Sequence, residues 1–362
     1  MIKFPEIPKR SDVIQAFKAE GGLVAGVLPI YYSRALLRAF NILPVEIWGP
    51  PKVDAVVGAT HVQPYICSID RNALSFIQSS SFQAVDLVLV PHACDSLQGL
   101  GSILLDLAPP NQPVLPMYLP RGEAGRGVDF LSRELKFLYQ RLKEITGYSP
   151  SVEEMRQHIL REEEADLQLA LLHKKRKQLA ITDFNFYRLI RSREYLPSVQ
   201  FLSIAKEVLD QVQENEMNGI PIVFSGIVPE PMELLLELEN VGGRIVADDM
   251  ACSGRRLYPA GKSEDPFLRM AESLLGSAPS WGWGSAIQAR FDHLMELILT
   301  SGARGVVFYN VKFCEPELFD LPILREALQS KGVPSTLIEM DINDPLSNQT
   351  LTRLEAFLEM IA

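Results

Sequence analysis

Apolar positions along this chain gather into two blocks of short runs with a charged stretch between them. In the first block, residues 22–29, 45–48, 85–90 and 113–118 read as strands, and helical patterns cover 33–40, 68–78 and 95–107. Short continuous apolar runs that alternate with helical patterns predict a parallel sheet covered by helices. From 127 to 216 strand-like runs vanish and helix-forming residues dominate, including Glu162-Glu163-Glu164 and Lys174-Lys175-Arg176-Lys177. Alternation then resumes, with strands predicted at 221–226, 243–249, 305–309 and 334–339 and a helix at 231–239. The last helix places Leu351, Leu354, Phe357, Leu358 and Ile361 at the spacing of a buried stripe.

The expected fold class is α/β, with two Rossmann-like (flavodoxin-like) parallel-sheet lobes joined by a helical segment. The first lobe, with an N-terminal helix, spans 1–126, the helical segment 127–216 and the second lobe 217–362.

A chain of 362 residues with 47% hydrophobic content can bury two ordinary cores. Its formal net charge of -10 argues against a nucleic-acid partner. No run of about 18 apolar residues indicates a membrane span. The opening Met1-Ile2-Lys3-Phe4-Pro5-Glu6 lacks the apolar region of an export signal. Four cysteines are too few for a disulfide framework, so a cytoplasmic protein with reduced thiols is expected. The basic run 174–177 reads either as a solvated helix face or as a docking patch for an acidic partner or phosphates, and Arg188, Arg191 and Arg193 allow the same two readings.

Three cysteines carry the chemistry. They occur in Tyr65-Ile66-Cys67-Ser68, Val90-Pro91-His92-Ala93-Cys94-Asp95 and Val311-Lys312-Phe313-Cys314-Glu315-Pro316, each after an apolar run and at the mouth of a predicted helix. A helix start offers unpaired backbone N–H groups and the positive end of a dipole, which favours thiolate. In open α/β sheets ligands sit beyond the carboxyl ends of the strands, so two facing lobes let the three thiols converge. Thiolates drawn from separated loops suggest an iron–sulfur cluster more than structural zinc, whose ligands usually come in close pairs. Cys252, after Asp248-Asp249-Met250-Ala251, is a possible fourth ligand or a neighbouring thiol.

Around these cysteines the sequence resembles the family that unites 2-hydroxyacyl-CoA dehydratases with ATP-dependent benzoyl-CoA reductases. The matching segments are Pro91-His92-Ala93-Cys94-Asp95-Ser96-Leu97, Ser225-Gly226-Ile227-Val228-Pro229, the stretch Val246-Ala247-Asp248-Asp249-Met250-Ala251-Cys252-Ser253-Gly254-Arg255-Arg256, Lys312-Phe313-Cys314-Glu315-Pro316-Glu317, and Ile338-Glu339-Met340-Asp341 with Thr352-Arg353-Leu354-Glu355-Ala356-Phe357. The resemblance implies that Cys67, Cys94 and Cys314 hold a [4Fe–4S] cluster with its fourth iron site open. It also implies single-electron transfer to an acyl-CoA or aryl-CoA thioester through a ketyl radical anion, under anaerobic conditions, ending in dehydration or ring reduction. A paralogous subunit, forming a heterodimer, and a separate ATP-hydrolysing iron–sulfur activator are the implied partners. The absence of a GxxxxGK[ST] loop agrees, since ATP hydrolysis then falls to another protein.

One departure concerns the first strand-to-helix turn. The family commonly places a Pro-x-Glu motif there, and this chain has Pro29-Ile30-Tyr31-Tyr32-Ser33-Arg34. Tyr31, Tyr32 and Ser33 are candidate hydrogen-bond donors in place of the carboxylate, and aromatic packing is the alternative for a tyrosine. His92, two residues before Cys94, is a candidate for proton delivery, as is His61. Arg255 and Arg256, with Ser225, are candidates for binding the substrate or CoA, against a salt bridge to Asp248 or Asp249. Trp281-Gly282-Trp283-Gly284 reads as a packed loop or an aromatic lid. Two other functions stay open: a non-catalytic iron–sulfur electron-transfer or scaffold subunit, and a zinc- or thiol-dependent α/β enzyme.

Overall fold

A computed structural model describes residues 4–50, 53–122, 124–212 and 218–362. Among the described residues, eight strands form two four-stranded sheets with the same winding. The first contains β1 (Leu23–Val27), β2 (Ile42–Glu46), β3 (Leu87–Pro91) and β4 (Val114–Met117) in the order β2-β1-β3-β4. The second contains β5 (Ile220–Gly226), β6 (Gly243–Met250), β7 (Gly305–Val311) and β8 (Ser335–Met340) in the order β6-β5-β7-β8. Every strand pair is parallel. Strands β3 and β7 are buried along their whole length, which is why they stand out in the sequence as apolar runs, broken in β7 only by Asn310.

The second strand begins earlier than its sequence predicts, at Ile42 rather than at 45. Ile42 and Leu43 pair with Leu23 and Val24 and are buried. Pro44 sits inside this strand because β2 is a sheet edge, where a missing N–H is tolerated. Helices Pro266–Leu275 and Ile287–Ser301, which the strand–helix alternation does not predict, lie between β6 and β7. The first is opened by Asp265, whose side chain accepts from Phe267 and Leu268 N–H groups.

Between the sheets run helices Ala124–Thr146, Val152–Lys174, Asp183–Ser192 and Ser198–Leu209. Ser151 and Glu154 close a reciprocal capping box at the start of the second. Most of the helical segment shares one continuous apolar core with both lobes, and a smaller core lies under Val306 and Phe308 of β7. Among the described residues, no helix is long and apolar enough to cross a membrane.

Several basic side chains lie inside this architecture. Arg176 is buried, bridges Asp183 and Asp248, and lies 4.0 Å from the Phe186 ring centroid. Arg193 is buried against Glu162 and Asp166, and Arg191 is held between Glu194 and Glu230. Both sequence readings of these arginines, solvated face and docking patch, are therefore corrected: they are internal ion pairs. Lys174 and Arg188 do face solvent.

Candidate functional site

The two sheets place two cysteines equivalently. In each lobe the strand order reverses between the first and third strands, which opens a crevice at the strands' carboxyl ends. Cys94 stands three residues beyond the end of β3 and Cys314 three beyond the end of β7, each as the cap of the helix that follows. The Cys94 sulfur accepts the Leu97 N–H at 3.4 Å. Phe313 takes a positive φ of 65°, turning the chain sharply from β7 into Cys314.

Cys67 arrives differently from the expectation. No strand leads into it; residues 60–67 are turns, and Cys67 caps helix Ser68–Ile77 from the connection between β2 and β3. Its place is set from the second lobe. The Ser68 N–H donates to the Lys312 carbonyl at 3.3 Å, Arg71 pairs with Asp341 at 2.6 Å, and Asn72 and Asn343 exchange side-chain hydrogen bonds. These contacts bring Cys67 beside Cys314, whose thiol is the strongest influence on it, with Cys94 close enough to interact electrostatically with Cys67. All four cysteines are free.

The thiols do not gain thiolate character from their helix starts alone. The Cys67 thiol is pushed well up by its contact with Cys314, then by burial and by the nearby Asp70 charge. Burial, then Asp70, pushes Cys94 well up, outweighing the opposing Leu97 N–H. A bound cation reverses this balance, because metal binding releases thiol protons. Among the described residues, no group of three or more His, Cys, Asp or Glu converges to hold a single metal ion. Three free thiols from three helix starts instead suit a cluster in which each iron takes one thiolate, so the donor set fits the cofactor expected from sequence.

Two cavities flank the thiols. One of about 180 Å³ is lined by Cys94, Arg121, Trp281, Glu315 and Phe319. Another of about 270 Å³ is lined by His61, Tyr65, Asp95, Phe313 and Glu315. His92 lies behind Cys94, buried with its ring edge-on to Tyr118 at 4.8 Å, and neither ring nitrogen has a hydrogen-bond partner. Burial lowers its basicity.

The remaining candidates are committed to internal contacts. The Tyr31 hydroxyl pairs with Ser280, and its ring packs 4.2 Å from that of Trp283. Ser33 caps its helix through the Leu36 N–H and donates to the Met270 sulfur at 2.9 Å. Tyr32 donates to Glu46 at 2.8 Å. The Arg255 guanidinium is buried between Asp249 and Glu317, so the salt-bridge alternative holds there, with Ser225 donating to the same Asp249. Arg256 reaches Glu46 of the first lobe instead of Asp248 or Asp249. Cys252 is buried among Arg191, Glu194, Asp248 and Glu230, apart from the other thiols. Trp283 is packed in the loop, while Trp281 donates to Glu317 at 2.8 Å and lines the cavity beside Cys94.

Sequence reading missed Asp70, whose signal is its position three residues after Cys67 on a helix start. It also missed Glu46, an acid ending an apolar strand, and Glu317, which ties the Cys314 helix to Arg255 and Arg290.

Comparison with known proteins covers nearly the whole chain. Residues 29–361 match the family described as 2-hydroxyglutaryl-CoA dehydratase, D-component. The chain is 25% identical to the (R)-phenyllactyl-CoA dehydratase beta subunit of Clostridium sporogenes, across 98% of this chain and 96% of that protein. It is 22% identical to the beta subunit of the (R)-2-hydroxyglutaryl-CoA dehydratase of Acidaminococcus fermentans, across 96% and 95%. One of the subunits of the benzoyl-CoA reductase of Thauera aromatica is 24% identical, across 86% of this chain and 83% of its own length.

Proposed function

The chain belongs to the 2-hydroxyglutaryl-CoA dehydratase D-component family, and from that premise we propose that it is the [4Fe–4S]-binding subunit of a dehydratase- or reductase-type complex. In that role it passes low-potential single electrons toward a CoA thioester. The observation that carries this reading is the meeting of Cys67, Cys94 and Cys314 across the lobe boundary. When bound, the cluster supplies one-electron transfer.

The chain's own residues do the rest. Cys67, Cys94 and Cys314 hold the cofactor, one thiolate from each helix start. Ser68, Arg71 and Asn72 lock the first lobe to the second, which keeps the spacing of the thiols constant. Phe313, Phe319 and Trp281 wall the flanking cavities. His92, buried without a partner, is the group available for proton handling behind Cys94. A paralogous subunit and an ATP-hydrolysing activator complete the system, in a cytoplasmic and anaerobic setting.

A second reading, that this chain relays electrons while its partner binds the thioester, is favoured by the closed first turn. The Tyr31 and Ser33 hydroxyls are already engaged with Ser280, Leu36 and Met270, so neither stands free toward a substrate carbonyl. Thioester binding to the isolated chain would overturn the relay reading.

The test is anaerobic reconstitution of the chain, alone and co-expressed with a paralogue, followed by iron and sulfide analysis. Four irons per chain are expected. Serine at position 67, 94 or 314 should each remove most of the iron, and Cys252→Ser should retain it. A colourless, iron-free protein after reconstitution would overturn the proposal. Assay of the assembled complex with an activator against benzoyl-CoA and a 2-hydroxyacyl-CoA then separates ring reduction from water elimination.

A further inference from the structure

Among the described residues, Asp70 is a buried acid without a counter-ion. It is 2% exposed, its Oδ2 has no hydrogen-bond partner, and no lysine or arginine among the described residues pairs with it. Its neighbour Arg71 is taken by Asp341. An acid three residues after a helix cap usually folds back onto the cap's N–H, as Glu154 does on Ser151. Asp70 makes no such bond. A buried carboxyl left without a donor or counter-ion destabilises the chain unless a cation or proton compensates.

The surroundings indicate which cation. Residues three apart share a helix face, so Asp70 stands beside Cys67 at the start of helix Ser68–Ile77. Its charge acts on two of the three thiols, Cys67 and Cys94. Three thiolates hold three irons of a four-iron cluster and leave one without a protein ligand.

We propose that the Asp70 carboxylate is the fourth protein ligand, bound to that remaining iron. The inference rests on the cluster reading above. On binding, Oδ2 forms an iron–oxygen bond in place of the bond to solvent, the carboxyl proton leaves to water, and no electron is transferred. Ligation by Asp70 closes the site that the family resemblance leaves open, which suits a cluster that relays electrons and binds no substrate.

The test is spectroscopic and needs no turnover. The chain is reconstituted anaerobically, reduced, and examined by electron–nuclear double resonance in ¹⁷O-enriched water. Wild type should show no ¹⁷O coupling at the cluster, while Asp70→Ala should gain one. Asp70→Cys should load four irons and stay closed to ¹⁷O, which keeps the test decisive if Asp70→Ala loads poorly. A ¹⁷O coupling in wild type or in Asp70→Cys overturns the inference. So does an Asp70→Asn chain as closed as wild type, because a neutral amide would then do the same as the acid. Absence of iron in wild type defeats the parent reading instead and is separately visible in the metal analysis.

Discussion

Arg256, beyond the last strand residue of β6, holds the Glu46 carboxylate at the end of β2, with Nη1 and Oε2 2.8 Å apart. Arg34 reaches the other oxygen at 2.7 Å, and Trp48 donates to Glu46 at 3.0 Å. All of these groups are buried, so one acid between two guanidiniums fastens the lobes together. Glu46→Gln leaves two cations without their counter-charge and should cost about 3–5 kcal/mol. Urea unfolding of the cluster-free chain measures it; a loss under about 1 kcal/mol would show the bridge to be dispensable.

Gly49 controls the helix that carries Cys67. Its φ is +65°, and a Cβ there would lie 2.3 Å from the Ile69 carbonyl oxygen. Gly49→Ala must therefore displace the first turn of helix Ser68–Ile77 and should destabilise the chain by about 1–3 kcal/mol. Iron loading should fall with it. Gly99→Ala meets nothing within 4 Å and lies inside helix Asp95–Ser102, so it should stabilise by up to about 1 kcal/mol. Equal iron contents in the two variants would refute the positional argument.

His173 makes folding pH-dependent away from the thiols. Burial lowers its basicity to about 4, with Arg176 adding to the effect and Asp248 opposing it. The folded value lies below the unfolded one, so the stabilisation is present above about pH 6.5 and is lost as pH falls toward 4. The loss should be on the order of 3 kcal/mol. Denaturation midpoints at pH 7 and pH 4.5 should differ less in His173→Gln than in wild type, and parallel curves would exclude His173 as the source.

Of the candidate basic patch, Lys174 and Arg188 are the fully exposed members, since Arg176 and Arg193 are buried and Arg191 is held in ion pairs. Charge reversal at both exposed positions should slow electron delivery from an activator, more at low salt than at high salt. Activator-dependent rates that stay unchanged across ionic strengths would place docking elsewhere.

The sequence by itself determined the two parallel sheets, because strands buried on both faces read mostly as apolar runs, as β3 and the first five residues of β7 do. It also located Cys94 and Cys314, since a strand end and a helix start are both readable locally. The approach of Cys67 was not legible, because bonds from Ser68, Arg71 and Asn72 to residues over 240 positions away set it. The arginines misled for the same reason. Arg176 finds Asp248 72 residues along the chain and Arg256 finds Glu46 210 residues back. A charge in a sequence looks solvated until its counter-charge is known. Tertiary structure alone decided which charges were paired, and which acid, Asp70, was left buried with its Oδ2 unpartnered among the described residues. Pairing and desolvation depend on distance in space, which the order of residues does not record.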